Sequence, residues 1–222
     1  MFSKIEPQNP KAPPQRKIEY DDLVGQQRRR VVMPFTALKD KHIQNARFVL
    51  DRLALLRDFP PNGVCAEIGV ASGDFSQKIL DISQPQKLHL IDMWSSDRYG
   101  LECENLVLSR FSKEIASEQV MINRGRSTDV LSAFSDGYFD WVYIDTVHDY
   151  TVTAKELEIC RHKVKKGGII AGHDFVMGNW KSRIKYGVIE AVYEFCEKNN
   201  WEFLAITMEL NGNSFAVKEQ EN

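Results

Sequence analysis

An α/β fold built on a mostly parallel sheet is predicted by three observations. From Val64 onward, short apolar runs alternate with longer amphipathic stretches. The chain closes with two extended runs around Asn211-Gly212-Asn213, a strong hairpin signal. The composition is globular: of 222 residues, 43 % are hydrophobic and 27 % charged. That is enough apolar material to fold without disulfide or metal staples.

The elements follow in order. Residues 1–35 stand apart as a Pro-rich, basic N-terminal arm. Pro7, Pro10, Pro13 and Pro14 break helices, and residues 1–30 hold seven Lys/Arg against four Asp/Glu. Arg28, Arg29 and Arg30 are its basic run, read as a solvated segment or as a contact for a phosphate-bearing substrate or a second subunit. Residues 36–222 form the domain. In Ala37–Arg57, Ile43, Ala46, Val49, Leu50, Leu53 and Leu56 recur at helical spacing, and Phe59-Pro60-Pro61-Asn62-Gly63 ends that helix. Strands are expected at Val64–Val70, Lys87–Asp92, Val120–Asn123, Phe139–Asp145 and Gly168–Gly172. Between and after them come helices at Phe75–Ile82, Glu104–Ser117, Ser127–Ser135, Thr151–Lys165 and Val188–Lys198. Trp201–Met208 and Ser214–Lys218 form the closing hairpin, expected to put one antiparallel strand on the sheet edge. The result is a Rossmann-like, doubly wound, mostly parallel seven-stranded sheet with a C-terminal antiparallel hairpin. In such sheets ligands bind beyond the carboxyl ends of the strands, near the switch in strand order.

Several function classes are disfavoured. A formal net charge of −2 gives no global attraction to nucleic acid or an anionic membrane. No apolar run reaches the roughly 18 residues a membrane helix needs, and the first residues lack the apolar centre of a signal peptide. Cys65, Cys103, Cys160 and Cys196 form no CxxC pair and read as reduced thiols of a cytoplasmic protein.

The first strand ends in Glu67-Ile68-Gly69-Val70-Ala71-Ser72-Gly73-Asp74. Glycines between a strand and a helix allow a sharp turn and close ligand approach. The dinucleotide pattern would need glycine where Ala71 and Asp74 stand, and a P-loop would need a lysine that is missing. An acid, a glycine turn and a helix start instead suit a ligand carrying positive charge. Asp92, 25 residues after Glu67, closes the second strand, where a carboxylate can accept hydrogen bonds from a ribose diol. After the third strand, Gly125-Arg126-Ser127 opens a short helix. Ser127 there faces an adenine edge or serves as an ordinary helix cap.

These residues resemble the class I S-adenosylmethionine-dependent methyltransferases. The resemblance runs from about Val64 to Lys218 and rests on Glu67-Ile68-Gly69-Val70-Ala71-Ser72-Gly73, Asp92 and the terminal hairpin. Two further segments, residues 143–150 (YIDTVHDY) and 166–174 (KGGIIAGHD), are similar to small-molecule O-methyltransferases of the macrocin O-methyltransferase type. The resemblance implies S-adenosylmethionine as cofactor, lined by Glu67, Gly69, Gly73, Asp92, Ser127 and Asp145, and a small-molecule acceptor of sugar, polyketide or phenolic type.

Asp145 and Asp174 end neighbouring strands, so both carboxylates should meet at one rim. Two oxygen donors with several waters suit Mg²⁺. His148, three residues beyond Asp145, is the candidate general base, its reference pKa of ~6.5 suiting proton removal near neutrality. The resemblance implies the same roles, although metal-binding relatives often carry two successive acids where His173-Asp174 stands here. His42, His89 and His162 are assigned no role. Two loops are expected to hold the acceptor: Met93–Leu101, with Trp94, Arg98 and Tyr99, and Phe175–Tyr186, with Met177, Trp180, Lys181, Arg183 and Lys185. Their cations and aromatics suit a polar, anionic or glycosylated molecule. Two alternatives stand beside this reading. One is a metal-independent methyltransferase acting on nitrogen or on a macromolecule; the other is a non-catalytic cofactor-binding subunit. The N-terminal arm leaves open a homo-oligomer formed by subunit exchange, without fixing the oligomeric state.

Overall fold

The computed structural model describes residues 16–21, 28–179, 181–210 and 212–220. Within the expected arm, β1 (Arg16–Asp21) and β2 (Arg28–Met33) pair antiparallel, with Ile18 opposite Val31. Pro7, Pro10, Pro13 and Pro14 lie outside the described residues.

The expected helix over Ala37–Arg57 is three elements instead: α1 (Asp40–Ile43), β3 (Arg47–Val49) and α2 (Arg52–Arg57). Two local effects override the helical period. Arg47, Phe48 and Val49 pair in parallel with residues 205–207 near the carboxyl terminus, and Asp51 starts a new helix by accepting the Ala54 N–H at 2.7 Å. Leu55 and Leu56 are buried, whereas Leu50 is 76 % exposed.

From β4 (Val64–Ile68) the alternation runs as expected: α3 (Asp74–Ser83), β5 (Lys87–Asp92), α4 (Leu101–Arg110), α5 (Ser112–Ala116), β6 (Val120–Arg124), α6 (Ser127–Ala133), β7 (Phe139–Ile144), α7 (Tyr150–Lys163) and β8 (Val164–Gly172). The helix expected over Glu104–Ser117 breaks at Phe111, which turns into the core. A small ribbon of β9 (Gly178–Asn179) and β10 (Ile184–Lys185) precedes α8 (Val188–Asn199). The chain then forms β11 (Trp201–Thr207) and β12 (Phe215–Glu219).

The main sheet has eight strands in the order β3-β11-β12-β8-β7-β4-β5-β6. It is the expected mostly parallel Rossmann-like sheet with one strand more than seven, β3. The antiparallel strand β12 is interior, paired with β8 and β11, rather than at the edge. The edge on that side is β3, which runs parallel to β11. Strand order reverses at β4, whose neighbours are β5 and β7.

Both faces are covered, as buried parallel strands require. On one face Ala66, Ile68, Val142 and Ile144 pack with Leu157 of α7 and Val192 and Phe195 of α8. On the other, Cys65, Leu88, Trp141 and Tyr143 pack with Leu55 of α2, Ile79 of α3 and Phe111. Successive residues of β4 and β7 thus serve opposite cores. All four cysteines are free thiols. His89 lies between the side chains of Asn123 and Tyr138, away from the strand tips. Among the described residues, no helix is long and apolar enough to cross a membrane.

Candidate active site

The turn from β4 into α3 lies at the reversal of strand order. Gly69 has φ +90°, and a Cβ there would lie 1.9 Å from the Asp145 carbonyl oxygen. Only a residue without a side chain allows the turns after β4 and β7 to approach this closely. The same strand tips are tied by Gly69 N–H to Ile91 O at 2.8 Å and Asp145 N–H to Ile68 O at 2.7 Å. Gly73 begins α3 against the Phe111 ring. Gly69, Ala71 and Ser72 stay half-exposed along the rim.

Glu67 does not face the rim as an open anion. Its side chain is buried behind the loop, where the Ser76 hydroxyl donates to it. Burial pushes its pKa well up. The expected negative charge for a cationic ligand is therefore held as a loop support.

Asp92 is half-buried and binds the loop directly. Its Oδ2 accepts the Val70 and Ala71 N–H groups at 2.8 and 3.0 Å, and its Oδ1 accepts the Trp94 N–H at 2.9 Å. Trp94, expected to touch the acceptor, is instead core. It has φ +43°, is 1 % exposed and donates from Nε1 to the Ala71 carbonyl. The left-handed turn folds its indole back beneath the glycine loop.

The turn after β6 joins this rim through Gly125 N–H to Asp92 O at 2.9 Å. Ser127 is the first residue of α6, whose cap position is Arg126. Glu156, a residue absent from the sequence reading, lies fully buried on α7 and accepts from Thr146 Oγ1, at 3.0 and 2.9 Å to its two oxygens. Burial raises its pKa to about 7, against the pull of those hydrogen bonds.

The expected acids converge. Single ligand atoms of Asp145, His148 and Asp174 lie within 4.8 Å of one another. His148 Nε2 is 3.2 Å from Asp174 Oδ2, and its ring packs on Tyr186 with centroids 4.4 Å apart. His173 is drawn in as well, with Nδ1 3.4 Å from Asp174 Oδ2 and 3.8 Å from Asp145 Oδ2. Arg52 of α2 brings Nη1 to 3.8 Å from Asp145 and Nε to 3.7 Å from Glu209, with its guanidinium over the Phe75 ring. Glu209 in turn accepts from Thr207 and Ser214, and Ser214 meets the buried Tyr143 hydroxyl.

The charges are set by this company. Burial pushes the Asp145 carboxyl up, and Asp174 adds to the rise, while His173, His148 and Arg52 oppose it. Burial acts the same way on Asp174, but the His173 hydrogen bond and the nearby His148 and Arg52 hold it below the usual range. Burial works against a charged His173, yet Asp174 and Asp145 raise its pKa. Two carboxylates and an imidazole at this spacing form a donor set that can hold a divalent cation.

The acceptor loops are only partly as expected. Phe175 is core, and Lys185 is tied to Glu190 and the Tyr186 carbonyl. Trp180 lies outside the described residues. Met177, Lys181 and Arg183 are exposed. Arg98 lies over the exposed ring of Tyr99. Arg52, Glu209, Glu156 and Tyr186 were missed by sequence reading. Only Tyr186 carried a signal, as the last residue of an expected acceptor loop.

Residues 66–175 match the model of a family described as a methyltransferase domain. No curated protein matches the chain significantly. Among solved structures, the pyocyanin biosynthetic protein PhzM aligns with a TM-score of 0.57 at 13 % identity, over 73 % of this chain and 52 % of PhzM. The chain thus spans about half the length of that protein. A protein from Streptococcus mutans, described as a methyltransferase in complex with S-adenosylhomocysteine, aligns with a TM-score of 0.56 at 8 % identity, covering 76 % of this chain and 96 % of the other. The tRNA methyltransferase TrmK of B. subtilis aligns with a TM-score of 0.55 at 13 % identity, over 78 % and 67 %. At these identities the likeness is one of fold, the fold of S-adenosylmethionine-dependent methyltransferases.

Proposed function

We propose that this chain, whose residues 66–175 match a methyltransferase domain, transfers a methyl group from S-adenosylmethionine to a hydroxyl of a small molecule. The observation that carries the reading is the grouping of Asp145, His148 and Asp174 beside the Gly69 turn. The half-exposed loop of Gly69, Ala71 and Ser72, backed by Asp92, offers a cradle for the nucleoside end of the cofactor. Asp92 is the proposed ribose partner, with Ser127 beyond it toward the base.

The cofactor supplies an activated methyl on a positively charged sulfur, so alignment and deprotonation are left to the protein. His148 is the proposed base. With Nε2 at 3.2 Å from the Asp174 carboxylate, its Nδ1 is the nitrogen proposed to take the acceptor proton. Oxygen then bonds to the methyl carbon as the carbon–sulfur bond breaks, leaving S-adenosylhomocysteine. Asp145 and Asp174 would hold Mg²⁺, which would lower the pKa of an acceptor hydroxyl. Arg52 and the exposed cations of the loop before Tyr186 suit an acceptor bearing negative charge or many hydroxyls.

A second reading is favoured by the His148–Asp174 contact itself. Asp174 already lies within ion-pair distance of two histidines, and Asp145 lies near a third cationic group in Arg52. A metal-free histidine–aspartate pair performs the same proton transfer. The test is calorimetric titration with S-adenosylhomocysteine, followed by radiolabelled methyl transfer to phenols and sugars with and without EDTA. Binding with transfer to oxygen supports the proposal. Absence of binding overturns it, and full activity in EDTA selects the metal-free reading.

A further inference from the structure

We propose that Arg52 competes with a divalent cation for the Asp145 carboxylate, and that Glu209 is the second carboxylate that receives the guanidinium when the cation binds. The inference rests on the metal-assisted reading above and adds to it a control on metal affinity.

Arg52, the first residue of α2, lies between two acids that come from different parts of the sheet. Its Nη1 is 3.8 Å from Asp145 Oδ2, just beyond the end of β7. Its Nε is 3.7 Å from Glu209 Oε1, in the turn that follows β11. Both are ion-pair distances, and both exceed a hydrogen bond. The guanidinium is shared by the two carboxylates and locked to neither. Beneath it is the Phe75 ring, with the guanidinium carbon 4.8 Å from the ring centroid. An aromatic face attracts a cation without fixing which way its N–H groups point. Phe75 packs in turn on the buried Tyr143 ring, with centroids 4.5 Å apart, so the platform is anchored in the core.

The two acids are dressed differently. Thr207 Oγ1 and Ser214 Oγ both donate to Glu209 Oε2, at 2.7 and 3.2 Å. Those bonds orient the carboxylate, and Oε1, the oxygen they do not use, faces Arg52. Asp145 instead belongs with His148 and Asp174 to the group whose ligand atoms lie within 4.8 Å of one another. A cation held by that group must share Asp145 with a guanidinium, which stays charged at any ordinary pH. The side chains of Arg52, Asp145 and Glu209 are 33, 28 and 19 % exposed, so water screens the repulsion only in part. Arg52 cannot relieve it by losing a proton, but it can by turning over Phe75 toward Glu209. A plain structural tie between α2 and the strand tips would behave in the opposite way, because cutting it would loosen the site and weaken metal binding.

The test is Mn²⁺ affinity, read by electron paramagnetic resonance of the free ion, on the full chain and on Arg52→Gln, Arg52→Lys, Glu209→Gln and the Arg52→Gln/Glu209→Gln double variant. Arg52→Gln should bind Mn²⁺ at least about tenfold more tightly than the parent. Arg52→Lys keeps the charge and should stay within about threefold of the parent. Glu209→Gln leaves the guanidinium to Asp145 alone and should weaken binding at least about threefold, a loss that should largely vanish when Arg52 is also glutamine. Should Arg52→Gln not fold, Glu209→Gln decides, and an affinity equal to the parent's overturns the proposal. Equal or weaker Mn²⁺ binding by folded Arg52→Gln overturns it while leaving a metal site at Asp145 and Asp174 in place, and so does equal tightening in Arg52→Lys. No Mn²⁺ binding by any of these proteins overturns the metal-assisted reading and this inference with it.

Discussion

His148 Nε2 lies 3.2 Å from Asp174 Oδ2, although the two residues come from the turns after different strands. Parallel pairing of β7 with β8 sets Ile144 opposite Gly172, and this register brings the turns beyond them together. Asp174 has φ +53°, a left-handed conformation that aspartate tolerates better than most residues. The carboxylate orients the imidazole, and Tyr186 packs against its ring. Geometry of this kind presents one nitrogen of a histidine and fixes the other.

If the pair acts as a unit, Asp174→Asn and His148→Ala should each lower kcat by about 10²- to 10⁴-fold. The double variant should be little worse than either alone, because residues acting together are not additive. Affinity for S-adenosylhomocysteine, measured by calorimetry, should stay within about threefold of the parent. Multiplicative losses in the double variant would separate the two residues' roles.

Asp92 binds three backbone N–H groups, two of them in the glycine loop. Asp92→Ala leaves those donors to water or to nothing, a cost of roughly 1–3 kcal/mol. For a chain of this length that is a fall of roughly 2–12 °C in Tm. The loop also loses its anchor, so affinity for S-adenosylhomocysteine should fall by at least about tenfold. A normal Tm with lost binding would confine Asp92 to ligand contact, and the reverse would confine it to the loop.

Glu156 makes stability depend on pH in a direction opposite to that of paired surface acids. Burial lifts its pKa from 4.5 to about 7 in the folded chain. Between those values the folded state holds a proton that the unfolded state has released. Stability therefore declines as pH rises through that window and levels off above it. The decline attributable to this residue is up to about 3 kcal/mol. Glu156→Gln has no proton to lose there, so its Tm should fall less than the parent's between pH 5 and pH 8. Parallel curves for the two proteins would show that Glu156 is ionised at ordinary carboxylate pH.

The sheet from Val64 to Gly172 was legible because each strand is an apolar run bounded by glycine, proline or an acid, and local pattern suffices for that. Gly69, Asp92, Asp145, His148 and Asp174 could be singled out because they stand where such runs end. The residues that escaped are of another kind. β3 has three residues and no period of its own, and it forms only because residues 205–207 arrive to pair with it. Arg52 and Glu156 look like ordinary helix-surface charges in the sequence. Their partners, Glu209 for one and Thr146 for the other, are chosen by tertiary packing. Trp94 looked like a ligand-facing aromatic because nothing local announces that a left-handed turn will bury it.

Gly69 and Gly137 separate two costs that usually travel together. Both have positive φ, +90° and +65°, so an alanine at either suffers backbone strain of about 1–2 kcal/mol. At Gly137 an added Cβ would meet nothing within 4 Å, and strain is the whole cost. At Gly69 it would lie 1.9 Å from the Asp145 carbonyl oxygen. The loop or the tip of β7 must then move, and the turn carrying Asp145 and His148 moves with it. Gly69→Ala should therefore cost at least about 2 kcal/mol more than Gly137→Ala in urea unfolding. It should also weaken S-adenosylhomocysteine binding, which Gly137→Ala should leave alone. Equal unfolding costs for the two variants would mean that the strand tips part easily, and the close contact between the turns after β4 and β7 would then no longer account for a glycine at position 69.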